Sequence, residues 1–114
     1  MSYKLQNYLR TYRKRAGLSQ DEMAYLLGCT SGTKVSRYER LARQPSLQTA
    51  FVYEVVFGIP VRDVFGGVFQ QIQGVTLKRA RLLARKLEQE KPDRTTARKL
   101  SVLRAMISPS AGLK

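Results

Sequence analysis

The sequence predicts an all-α protein, with five short helices in residues 1–65 and two C-terminal helices in residues 66–114. Two observations carry this reading. Apolar residues recur three and four positions apart along most of the chain, and the gaps between these runs hold helix starters (Ser, Thr, Asp) and helix stoppers (Gly). At 114 residues, 43% hydrophobic and 25% charged, the composition is that of an ordinary globular protein, and the length suits one domain with a small appendage.

The first helix is expected over residues 3–16, where Leu5, Leu9, Tyr12 and Ala16 repeat at helical spacing and Lys4, Arg10, Lys14 and Arg15 take other faces. Gly17 stops it. Ser19 with Glu22 forms a capping box for a second helix to Leu27 that buries Met23, Ala24 and Leu27, and Gly28 ends it in a sharp turn. Thr30 and Ser31 are the expected N-caps of a third helix, whose core residues are Val35 and Tyr38 and whose outward residues are Gly32, Thr33, Lys34, Ser36 and Arg37. After an irregular link, Ser46 caps a fourth helix carrying Leu47, Ala50, Phe51 and Phe57 and ending at Gly58. Pro60 opens a short fifth helix with Val61, Val64 and Phe65.

Gly66 and Gly67 read as a hinge before a long helix over residues 68–91, in which Leu77, Ala80, Ala84 and Leu87 form a packing seam. Pro92 breaks it, and Asp93 caps a last helix to Ile107 with Leu100, Leu103 and Ile107 on one side. Residues 108–114 read as a frayed tail.

Lys and Arg number 21 against 8 Asp and Glu, a net charge of +13 without His. Residues 1–65 carry ten basic and five acidic side chains, and residues 66–114 eleven and three, so both parts favour a polyanionic partner. The single Cys29 excludes an internal disulfide. The chain has no secretory pattern and no uninterrupted apolar run of spanning length, which predicts a cytoplasmic protein without membrane association. With no His, no nucleophile beside a base, no metal cluster and no phosphate-cradling glycine loop, neither an enzyme nor a cofactor is expected.

Two helices joined across a glycine turn, with small polar and basic residues facing out of the second, form the arrangement that reads a major groove. The stretch from Gly17 through Leu18, Ser19, Gln20, Asp21, Glu22 and Met23 to Ala24 carries a family pattern, continued in Leu27-Gly28, Val35-Ser36-Arg37-Tyr38-Glu39 and Pro45-Ser46-Leu47. It resembles the lambda-repressor-like family, also called the Cro/repressor or XRE type, over residues 5–65. The resemblance implies a helix-turn-helix domain in residues 1–65 that binds double-stranded DNA. It places Gly32, Thr33, Ser36 and Arg37 nearest the bases, with Arg37 able to grip guanine and Thr33 to offer a hydroxyl or a methyl. It makes Gln20, Lys34 and Arg43 phosphate contacts, and Arg13 and Glu39 a structural ion pair.

Three departures stand out. The segment between Gly28 and Val35 is one residue longer than the family's usual spacing, so base contacts can shift by one. Arg40-Leu41 replaces the usual Asn-Gly and removes the residue best suited to a left-handed turn. Glu54 stands where a small apolar residue is common and requires a partner, expected in the C-terminal extension.

Residues 66–107 have two readings, pairing across a two-fold axis in a homodimer or folding back onto their own chain. Their basic run, Lys78, Arg79, Arg81, Arg85 and Lys86, is either a phosphate contact or a solvated face. The implied function is a transcriptional repressor binding a palindromic operator as a homodimer. The alternatives are an antitoxin-type autoregulator and a protein-interaction module that keeps the fold without specific DNA binding.

Overall fold

Helix α1, Leu9–Arg15, begins where the Asn7 side chain accepts the Leu9 amide at 3.1 Å. The computed structural model describes residues 6–109, so Leu5 and the other residues expected to start this helix lie outside the described part. Residues 6–8 are not helical, because the rest of the chain holds their backbone: the Tyr8 amide donates to Val64 O at 2.7 Å and Gln6 O accepts from Val68 N at 3.2 Å. The helix is thus shorter at its start than local periodicity predicts.

Helix α2, Gln20–Leu27, opens on the capping box expected from Ser19 and Glu22, with both reciprocal bonds present at 3.0 and 2.8 Å. It closes in a Schellman turn, in which Gly28 at φ 78° donates to Tyr25 O and Cys29 donates to Ala24 O. Helix α3 is Thr33–Glu39. Its N-cap is Gly32, not Thr30 or Ser31, because the Asp21 carboxylate accepts the Gly32 amide at 2.9 Å and sets where the turn ends.

Helix α4, Leu47–Phe57, is capped by Ser46, whose hydroxyl accepts the Thr49 amide at 3.1 Å. Its buried residues are Ala50 and Tyr53, whereas Leu47 and Phe51, expected on the packed side, are exposed. The helix is apolar nearly all round, so the hydrophobic pattern does not say which side turns inward. Helix α5 is Val61–Val64. Glu54 finds its partner here and not in the C-terminal extension: Oε1 accepts the Val61 amide at 3.0 Å, answering a donor at the start of α5.

Helix α6 spans Gly66–Glu88, and α7 spans Arg94–Ile107. Gly66 and Gly67 form the first turn of α6 instead of a break, continuing a chain already anchored by Phe65 and Val68 against the core. Among the described residues there are seven helices in this order and no strand, and no helix is long and apolar enough to cross a membrane.

The chain divides into two compact units between Gln70 and Gln71, inside α6. The first is built around Leu9, Met23, Ala24, Val35, Tyr38, Ala50, Tyr53, Val64 and Phe65, so every helix of residues 9–65 contributes to one core. The second is slimmer. Ala80, Ala84 and Leu87 of α6 pack with Leu103 of α7, flanked by Leu100 and Ile107, so α7 of the same chain fills the seam. Asp93 caps α7 by accepting the Thr96 amide at 2.7 Å. That bond, then the Thr96 hydroxyl, holds the Asp93 carboxyl below its ordinary range.

Candidate nucleic-acid interface

Helix α3 is anchored from beneath by Val35 and Tyr38, both buried in the first core. At 3.6 residues per turn, Thr33, Ser36, Arg37 and Arg40 then fall on the opposite side. Thr33, Lys34, Arg37 and Arg40 are exposed, and Ser36 is half-buried. Arg43 is exposed in the link that follows.

The orientation of α3 is set at both ends. At its start, a Cβ added to Gly32 would lie 2.9 Å from Gln20 Cβ, 2.9 Å from Asp21 Oδ1 and 3.1 Å from the Gln20 carbonyl carbon. Only glycine lets α3 approach the first turn of α2 so closely. Gly32 is therefore buried and its amide donates to Asp21, so of the base-facing set that the resemblance implies it is the member with neither a side chain nor a free amide. The other three residues of that set remain together on the outer side of α3.

At the far end of α3, Glu39 lies under the helix with its side chain only 4% exposed. Its carboxylate accepts Arg13 Nε at 2.5 Å and Nη2 at 3.2 Å, while Arg13 Nη1 donates to Leu18 O at 2.9 Å. Hydrogen bonding to Glu39 raises the Arg13 pKa further above its ordinary value. Gln20 Nε2 donates to the same carboxylate at 3.2 Å. Gln20 thus ties the start of α2 to the end of α3, a structural bond that its expected phosphate role does not require.

The chain leaves α3 through another Schellman turn: Leu41 N donates to Tyr38 O at 3.1 Å and Ala42 N to Arg37 O at 2.9 Å. The residue in the left-handed position is Leu41, at φ 55°. The turn normally completed by Asn or Gly is kept here with a branched side chain.

Gln20, Asp21, Ser31, Gly32, Thr33, Ser36 and Arg40 line one polar concavity of about 370 Å³ between the starts of α2 and α3. The hydroxyls of Ser31, Thr33 and Ser36, the Gln20 side chain and the Arg40 guanidinium line it together with the Asp21 carboxylate, which is bonded to the Gly32 amide; hydroxyls and guanidinium are groups that meet phosphates and base edges. A family model described as a helix-turn-helix domain matches residues 5–53. This segment is a helix-turn-helix domain. No curated protein and no solved structure matches the chain.

In the helix-turn-helix domain, α2 and α3 are the paired helices and residues 28–32 the turn. The domain points to a DNA-binding regulator rather than an enzyme. Arg40 belongs by sequence to the link after the third helix, and the structure places it at the end of α3. Its spacing was the available signal, three residues after Arg37 and seven after Thr33. Tyr53 gave no such signal, since α4 is apolar on every side.

Proposed function

We propose that the chain is a sequence-specific, double-stranded DNA-binding transcriptional regulator, a repressor that binds a palindromic operator as a homodimer. The observation that carries this reading is the fixing of α3 at both ends, by Gly32 against α2 and by Glu39 on Arg13, with Thr33, Ser36 and Arg37 left on its free side. A major groove admits a helix presented in this way. Arg37 donates two parallel hydrogen bonds to a guanine, and Thr33 and Ser36 contact neighbouring base edges. Lys34 and Arg43 contact phosphates. Gln20 joins them through the first turn of α2, where backbone amides lack partners inside the helix.

One recognition helix reads few base pairs, and a two-fold pair doubles the site. Repression then follows from occupancy of a promoter. The test is selection from a random duplex pool, comparing wild type with Arg37→Ala at fixed salt. A palindromic consensus that relaxes at one base pair per half-site in the variant is the expected result. Binding without a consensus that fades with salt alone would reduce the protein to a charge-driven binder. Sedimentation equilibrium with and without the selected duplex measures the dimer.

A further inference from the structure

Arg40 stands at the end of α3 on the same free side as Thr33 and Arg37. It is exposed, lines the polar concavity with Thr33, Ser36 and the first turn of α2, and its Nε donates a long hydrogen bond of 3.4 Å to Ser36 Oγ. That bond occupies Nε, so the two terminal nitrogens of this exposed guanidinium remain as a fork of donors. A lysine in this place would offer a single ammonium and no fork.

We propose that Arg40 is a second base-reading residue, which grips a guanine other than the one read by Arg37, with Ser36 as its positioning residue. The inference rests on the DNA-binding reading above and extends it. At about 1.5 Å of rise per residue, Thr33 and Arg40 lie about 10 Å apart along α3, or about three base-pair steps of 3.4 Å. Arg37 and Arg40 are about 4.5 Å apart on the same scale. Each half-site therefore contains two arginine-read guanines, on neighbouring or next-neighbouring pairs. Ser36 holds the guanidinium in addition to touching its own base edge.

The test uses the full chain in duplex selection at fixed salt, with wild type, Arg37→Ala, Arg40→Ala, Arg40→Lys and Ser36→Ala. Arg40→Ala is expected to lose roughly 5- to 150-fold of discrimination at one guanine, distinct from the guanine relaxed by Arg37→Ala. Arg40→Lys keeps most overall affinity and its salt dependence but loses most of that discrimination. Ser36→Ala weakens the preference at the Arg40 guanine, besides relaxing the pair that Ser36 itself touches, and spares the Arg37 guanine. Unchanged melting temperatures establish that the variants fold, as expected for the exposed Arg37 and Arg40 and for removal of a single hydroxyl at the half-buried Ser36.

Two results would overturn the assignment. If Arg40→Ala weakens all sequences equally and lowers the salt slope by about one, Arg40 is a phosphate anchor. If its consensus and affinity match wild type, Arg40 takes no part. Either result leaves the wild-type consensus intact and the DNA-binding reading standing, whereas a wild-type pool without consensus sinks both.

Discussion

Arg13 of α1 and Glu39 at the end of α3 form a buried, doubly hydrogen-bonded pair across 26 residues of chain, with side chains 9% and 4% exposed. Removing one member leaves the other charge buried without its partner, and that stranding is the costly part. Arg13→Met or Glu39→Leu should each lower unfolding free energy by about 3 kcal/mol. The double variant should cost less than the two single costs combined. Urea unfolding of all three measures this, and strict additivity would show that the pair is not coupled. Loss of DNA binding in the single variants reflects loss of the fold.

Tyr53 is fully buried and its hydroxyl has no hydrogen-bond partner among the described residues. Burial, then the nearby Glu39 charge, pushes its pKa well above the ordinary tyrosine value, so it stays neutral at physiological pH. An unpaired buried hydroxyl costs about 1–3 kcal/mol. Tyr53→Phe removes it and keeps the ring, which packs 5.7 Å from the ring of Phe57. The variant should be more stable by about 1 kcal/mol. A lower urea midpoint would mean that the hydroxyl is satisfied in solution.

Leu41 holds a left-handed conformation at φ 55°, where its Cβ is crowded by backbone. Leu41→Gly should stabilise the first unit by about 1 kcal/mol, and Leu41→Asn by less. Leu41→Val should destabilise it, since β-branching is worst at positive φ. Thermal melts of the three variants check the order.

At Gly32 the expectation is opposite. Gly32→Ala puts a methyl group against the backbone and side chains at the start of α2. It should cost about 1–3 kcal/mol, or shift α3 and weaken DNA binding at unchanged net charge. Wild-type stability and affinity together in this variant would show that the α2–α3 approach is looser than described.

Asp93 gives a pH dependence. Its carboxyl titrates below its ordinary range because the charged form accepts the Thr96 amide first of all. A depressed folded pKa stabilises above the unfolded value of about 3.9 and is lost as pH falls through the folded value. Helicity of the α7 region should therefore decline in acid below about pH 4. Asp93→Asn keeps a capping oxygen and should remove that part of the acid dependence. Amide exchange at residues 96–97, followed against pH in both proteins, reads the difference.

Much was legible in the sequence because much of the fold is local. The capping box of Ser19 and Glu22, the Ser46 and Asp93 caps and the Gly28 turn each depend on residues within about four positions, and all are present. The buried places of Leu9, Met23, Val35 and Tyr38 follow from helical spacing, as does the seam of Ala80, Ala84 and Leu87. Net charge pointed to a polyanionic partner, and the family resemblance carried by the motifs around two short helices implied duplex DNA.

Tertiary structure alone decided what depends on distant partners. Asp21 and Gln20 occupy the space beside Gly32, so that residue serves packing, while the turn after α3 extends the outward row to Arg40. Which side of α4 turns inward was settled by the core that receives Tyr53, and Glu54 was answered by the start of α5. The physical division is one of range: hydrogen bonds within a turn are set by neighbouring residues, whereas burial, close backbone approach and the pairing of a buried charge exist only once separate helices meet.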